Sequence, residues 1–195
     1  GISTSQLMEN AGLAVAQKVK ELLGDTQGKE ILGLIGTGNN GGDGLVALRH
    51  LHDGGAVVKA YLCSPRSAED TNLIKVKERQ IPVISVEEDK DYSHLKAALG
   101  SASVLLDAIL GTGRSRPLQG TLKDILQIVR QEKENRPQLF IVALDLPSGL
   151  DANSGHLDLF SPGADVTLTL GFPKVGLFIF PGAEKIGRLE VLDIG

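Results

Sequence analysis

Short apolar runs, each closed by a polar or glycine-rich turn and most followed by a stretch with helical spacing, recur from one end of this chain to the other. Ile31–Ile35, Ala56–Cys63, Val83–Val86, Val104–Leu106, Phe140–Leu144 and Val166–Leu170 have the length and composition of strands. Ahead of them, Leu7, Ala11, Ala14, Val15, Leu22 and Leu23 fall on one helical face, which predicts an amphipathic helix over Gln6–Leu23 with Ser and Thr in front to cap it. Further helices are predicted over Leu45–Leu51 and near 67–79, 92–99 and 118–133, the last with Pro117 at its first-turn position. Strands that alternate with helices bury both faces of a parallel sheet, so the expected fold is α/β, doubly wound, with a mostly parallel sheet and helices on both faces. Beyond Gly171 the glycines, prolines and short β-rich runs predict a less regular part of the same sheet. No repeat or linker divides the sequence, and residues 1–195 are read as one domain.

Composition narrows the functional classes. No apolar run approaches the roughly 20 residues needed to cross a bilayer, so no membrane association is expected. Cys63 stands alone and cannot form an intramolecular disulfide, and the start of the chain lacks the pattern of a secretory leader. A reducing, cytoplasmic setting is therefore expected. The net charge of −4, with both signs interspersed, leaves no basic stripe for phosphate backbones, and nucleic-acid binding is not expected. The chain begins at Gly1 without Met and stops at Val191–Gly195, where a strand is finishing, which reads as an excised domain.

In an open parallel sheet, ligands bind outside the carboxyl ends of the strands, and three segments there carry the chemistry. The first, Gly36 to Gly44, satisfies GxGxxG between a strand and a helix. Its glycines let backbone N–H groups approach an anion at a helix N-terminus, while Asn39, Asn40 and Asp43 offer oxygens to a cation or a ligand hydroxyl. A dehydrogenase would also want an acidic residue after the second strand for the ribose hydroxyls, whereas Ser64-Pro65-Arg66 stands there. An NADP-binding version has to enlist Arg66. The second segment runs from Asp107 to Pro117, a carboxylate at a strand end followed by Gly111, Thr112, Gly113, Arg114, Ser115 and Arg116, a flexible basic turn suited to a phosphate or pyrophosphate. The third is Asp145-Leu146-Pro147-Ser148-Gly149-Leu150-Asp151. Asp145 follows a buried strand directly, so it should enter the crevice partly desolvated and is the leading acid/base candidate. Asp151 reads instead as a turn-forming Asp.

Other reactive side chains are less informative. His50 and His52 are two apart, cannot share a helical face and are expected at the surface. His94 and His156 have no Cys or Glu at metal-ligand spacing, and Cys63 has no adjacent base. Lys174 follows a predicted strand and can reach the crevice, with a surface position as the equal alternative.

Taken together, NNGGDG, DAILGTG and DLPSGLD, with Leu7 to Gly12 ahead of them, resemble the motifs of the YjeF N-terminal family, the NAD(P)HX epimerases, in order and spacing along nearly the whole chain. The resemblance implies a Rossmann-like fold. It also implies interconversion of the R and S epimers of NADHX and NADPHX, nicotinamide cofactors hydrated at ring carbon six, with a fused or separate ATP- or ADP-dependent dehydratase acting on the S form. It assigns Asn40, Asp107 and Ser148 as side-chain ligands of a potassium ion, and Asn39, Asn40, Gly41, Gly42, Asp43, Gly111, Thr112, Gly113, Arg114, Ser115, Arg116, Pro117 and Asp145 as substrate contacts. Asp145 would assist loss and return of hydroxide at carbon six, or an equivalent ring-opening. A homodimer is compatible with this reading. Two alternatives stand beside it: an NAD(P)-dependent oxidoreductase, and a non-catalytic binding module of the same family. A pure scaffold has no physical need for Asn40, Asp107, Asp145 and Ser148 at three strand ends.

Overall fold

The computed structural model describes residues 1–112 and 118–195. Among these residues seven strands form one sheet in the order β3-β2-β1-β4-β5-β6-β7: β1 Glu30–Ile35, β2 Val57–Leu62, β3 Val83–Ser85, β4 Val104–Ala108, β5 Phe140–Leu144, β6 Val166–Leu170 and β7 Arg188–Leu192. All six pairings are parallel, so the sheet is wholly rather than mostly parallel. The order reverses between β1 and β4. At such a switch point the connections leave in opposite directions and open a crevice at the carboxyl ends.

Alternation along each strand feeds two cores. Ile31 and Ile35 of β1, Leu106 and Ala108 of β4 and Val142 and Leu144 of β5 meet α1 (Thr4–Leu23), α2 (Asn39–Asp53) and α3 (Thr71–Glu78) on one face. Leu32 and Leu34, Leu105 and Ile141 point the other way, against α4 (Ser93–Ser101) and α5 (Gly120–Asn135). Apolar side chains on both sides explain why these strands read as continuous hydrophobic runs. Helix α1 is capped by the Ser3 hydroxyl, which accepts from the Gln6 N–H at 3.2 Å. It is tied to α2 by Glu9, whose carboxylate accepts from Arg49 Nη2 at 2.6 and 2.7 Å and lies 2.8 Å from His50 Nε2. His50 is half-buried at this contact, and His52 is half-buried as well, where the sequence reading put both at the surface. After β6, two short 3₁₀ turns, Val175–Phe178 and Gly182–Glu184, lead to β7, the irregular continuation expected beyond Gly171. No helix among the described residues is long and apolar enough to cross a membrane.

Three of the boundaries that differ from the sequence reading bear on the site. Helix α2 starts at Asn39, not Leu45, so Asn39 to Gly44 are its opening turns rather than a glycine loop. Low helix propensity hides this start, but the glycines are there for close packing: a Cβ at Gly42 would strike Met8 of α1, and one at Gly44 would stand 2.5 Å from the Ala108 methyl of β4. Strand β4 runs on to Ala108, so Asp107 lies inside the strand, in register with Leu34 of β1 and Ala143 of β5. The apolar signal stops at Leu106 because the next side chain is the buried carboxylate itself. Helix α5 begins at Gly120, later than a start drawn from Pro117.

Candidate active site

The crevice lies at the carboxyl ends of β1, β4, β5 and β6. Its floor is Asp107, buried within β4. The Ser148 hydroxyl donates to Asp107 Oδ1 at 2.6 Å, the Ser148 N–H donates to Oδ2 at 2.8 Å, and the Ile109 N–H reaches Oδ1 at 3.3 Å. Ser148 Oγ in turn accepts from the Leu110 N–H at 3.1 Å. Burial raises the Asp107 carboxyl above its ordinary range, and the Ser148 and Ile109 donors offset this only in part.

Asn40 sits in the first turn of α2, and neither its Oδ1 nor its Nδ2 finds a partner among the described residues although both are buried. Buried polar atoms are seldom left unpaired, and exceptions often mark a place that an ion, water or ligand fills. A side chain begun at Gly111 would stand 3.3 Å from the Cβ of Asn40 and 3.7 Å from Oδ2 of Asp145, so these three residues meet across the crevice. Asn39 is exposed at its mouth, as is Thr112. Gly41 and Gly42 are buried beside Asn40.

Asp145 closes β5 with a φ of 69°, in the left-handed region, and Leu146 N–H bonds back to the Leu144 carbonyl at 2.9 Å across it. This tight three-residue turn is strained for any residue with a Cβ, and Asp tolerates it better than most. Its Oδ1 accepts from Lys174 Nζ, from the Leu170 N–H at 3.1 Å and from the Thr169 hydroxyl at 3.3 Å. Asp43, one turn into α2 from Asn40, is buried and faces the charge of Asp145. Burial first, and that neighbouring charge second, push its carboxyl up to about 7. The crevice thus holds one carboxyl group that still carries a proton near neutrality beside another that has a lysine partner, a combination able to give and take protons.

The elevated Asp43 has a consequence for stability. Its folded value lies above the ordinary 3.8, so the folded state holds this proton more tightly than the unfolded chain does. Its contribution is therefore fully present below pH 4 and is lost as pH rises through 7. At about 1.4 kcal/mol per pKa unit the loss is somewhat more than about 4 kcal/mol. Urea unfolding of wild type and Asp43→Asn at pH 4 and pH 8 is expected to show the variant gaining relative stability by a few kcal/mol (about 3) at the higher pH. An equal difference at the two pH values would contradict the assignment.

The other candidates divide clearly. Asn40, Asp43, Asp107, Gly111, Asp145 and Ser148 surround the one crevice, while Gly113, Arg114, Ser115, Arg116 and Pro117 lie outside the described residues. Thr169 and Lys174 join the site from β6 and the loop after it. Thr169 gave no signal because its strand reads as core. Arg66, which an NADP-dependent oxidoreductase would need, is committed elsewhere: it pairs with Asp70, its Nε at 3.0 Å from Oδ2, and donates to the Gly36 carbonyl. Asp151 is turn-forming as expected, accepting from Asn153 and Ser154 N–H groups at 3.1 and 2.8 Å. His94 Nδ1 lies 3.2 Å from Asp89 Oδ1, away from the crevice, and Cys63 is buried with its thiol pushed up by desolvation.

Known proteins are similar to this chain along its length. The chain is 38% identical to the bifunctional NAD(P)H-hydrate repair enzyme Nnr of Moorella thermoacetica over 97% of its own length and 36% of that protein's. It is 32% identical to the NAD(P)H-hydrate epimerase of Oenococcus oeni over all of its own length and 88% of that protein's. It therefore spans little more than a third of the bifunctional relatives, but most of the single-activity ones. The crystal structure of the yeast protein YNL200c superposes with a TM-score of 0.81 at 28% identity, covering 99% of this chain and 79% of that one. The family profile described as YjeF-related protein N-terminus matches residues 4–176, a span that takes in every strand end of the crevice, and the chain belongs to that family.

Proposed function

We propose that this chain interconverts the R and S epimers of NADHX and NADPHX. The observation that carries the reading is its full-length similarity to the Oenococcus oeni epimerase, of which it covers 88%. The fused repair enzymes among the relatives support a dehydratase as the functional partner, on the same chain or separate. The cytoplasm is the proposed place of action. A homodimer is compatible with the reading.

In this reading Asp145 is the group that moves the proton. The ring nitrogen's lone pair expels the hydroxyl at carbon six, which departs as water on taking from Asp145 a proton that the neighbouring Asp43 carboxyl holds near neutrality. Water then adds to the opposite face and returns a proton to the site. Bonds broken equal bonds formed, and no electrons leave the ring, which separates this chemistry from hydride transfer. An equivalent ring-opening asks the same proton transfers of Asp145. Asn39, Asn40, Gly41, Gly42, Asp43, Gly111 and Thr112 would line the bound cofactor, together with Gly113, Arg114, Ser115, Arg116 and Pro117 at its phosphates.

A potassium ion fits the donor set. Among the described residues, Asn40 Oδ1 is buried without a partner and Asp107 is a buried carboxylate with no cationic side chain bonded to it, and Ser148 adds a hydroxyl oxygen. Amide, carboxylate and hydroxyl oxygens are the ligands a hard cation prefers. When bound, the ion supplies positive charge that offsets the buried Asp107 and helps orient the cofactor. Exchanging choline chloride for potassium chloride at fixed ionic strength is expected to raise the melting temperature by about 4 °C, and Asp107→Asn to remove the difference. A melting temperature indifferent to potassium would remove the ion from the proposal.

The function itself is tested by incubating R-NADHX with the protein in potassium buffer near neutral pH and following S-epimer appearance by chromatography. Equilibration faster than the blank is the expected result. A rate equal to the blank, from folded protein, favours the binding-module alternative.

A further inference from the structure

The two oxygens of Asp145 have different surroundings. Oδ1 accepts from three donors: Lys174 Nζ, the Leu170 N–H and the Thr169 hydroxyl. Oδ2 has no donor among the described residues and is the oxygen turned toward Gly111, 3.7 Å from the point where a side chain there would begin. One oxygen is anchored, and the other is free at the place where Asn40, Gly111 and Asp145 converge.

The anchor is built around Lys174. Its ammonium has three N–H bonds to give, and the structure gives it three acceptors: Asp145 Oδ1, the Leu170 carbonyl at 3.0 Å and the Thr169 hydroxyl oxygen at 3.3 Å. None is left over for a bound molecule. Thr169 links the two partners, accepting from the lysine while donating to the aspartate. The arrangement spans β5, β6 and the loop after β6, and it holds a side chain whose own backbone is in the strained left-handed turn. Strain of this kind persists only where surrounding contacts over-determine it.

We propose that Lys174 is a positioning residue for the epimerisation: by fixing Oδ1 of Asp145 together with Thr169 and Leu170, it presents Oδ2 alone as the proton-transferring oxygen. The proposal rests on the epimerase reading above. It separates Lys174 from the substrate ligands, because a lysine with all three donors committed contributes orientation and not binding.

The test is steady-state epimerisation of R-NADHX by wild type, Asp145→Asn, Lys174→Met and Lys174→Gln, with and without added methylammonium chloride. Misplacing a reacting group by an ångström can cost about 100-fold, so Lys174→Met is expected to lose about 100-fold in kcat with KM within about threefold of wild type. Methylammonium is expected to restore part of that rate saturably in Lys174→Met and to do nothing for Asp145→Asn. A purely structural lysine would not answer to the small cation. Should Lys174→Met fail to melt cooperatively, Lys174→Gln is judged by the same criteria. Unchanged kcat, a loss confined to KM, or a loss of kcat in a folded variant that methylammonium does not relieve overturns the positioning role while wild-type activity keeps the epimerase reading intact. A wild type no faster than the blank removes both.

Discussion

Replacement of Asp145 by Asn is expected to lower the epimerisation rate by about 1,000-fold, in the range that a positioned acid/base group supplies, and to leave the fold in place. Asn is the informative substitution because it tolerates the left-handed backbone that Asp145 adopts at φ 69° and keeps the outline of the side chain. Its amide oxygen can still accept from Leu170 and Thr169 in place of Oδ1. What it cannot do is exchange a proton at the position of Oδ2. Alanine confuses the two effects: it keeps a Cβ in a strained turn, strands the Lys174 ammonium and leaves the Leu170 N–H without its acceptor. Chromatographic resolution of the R and S forms gives the rate, and a thermal melt of the same sample gives the fold. A folded Asp145→Asn that keeps more than about a tenth of the wild-type rate, against the 100- to 10,000-fold such a group contributes, would move the proton-transfer role to another residue.

How much of this site could be read before any coordinates follows from what each residue has to announce itself. Asp145 and Ser148 stand just past an apolar run, and a polar residue there has few places to go but the crevice. Asp107 was legible as a carboxylate near a strand end but not as part of the strand, since its burial depends on Ser148, 41 residues away, bonding to both of its oxygens. The opening of α2 was hidden for a related reason. Glycines carry the weakest helix propensity short of proline, and only the nearness of Met8 and Ala108 shows why small residues start this helix. Lys174 was visible as a candidate, but nothing local distinguishes a lysine that pairs with an aspartate 29 residues earlier from one in solvent. Repeating local patterns thus disclosed the sheet, its helices and the loops worth inspecting. Partnerships between loops, which convert separate polar residues into a site, depend on the packing of the whole sheet.

The packing that joins those loops is tightest at Gly36, where the largest effect on stability is expected. Gly36 follows β1, and its N–H donates at 3.1 Å to the carbonyl of Ala108, the last residue of β4, continuing the ladder one residue past the end of β1. A Cβ at Gly36 would fall on the carbonyl oxygen of Ile109, a backbone atom that cannot swing aside as a side-chain tip can. The same carbonyl group of Gly36 receives Arg66 and closes against Gly41, so moving it disturbs the start of α2 as well. Gly36→Ala is therefore expected to destabilise the protein by about 4 kcal/mol, at the upper end of single-substitution effects, and to abolish epimerisation by parting Asn40 from Gly111. Gly38 supplies the comparison. It lies two residues on, at the N-cap of α2 with a φ of −79° and open space where a Cβ would go. Gly38→Ala should cost no more than about 1 kcal/mol, the usual scale of an N-cap change. Urea titrations of the two variants give the difference directly. Equal and small losses would mean that the β1 and β4 loops can separate without harm, and that the crevice is assembled by something other than the close approach of these two backbones.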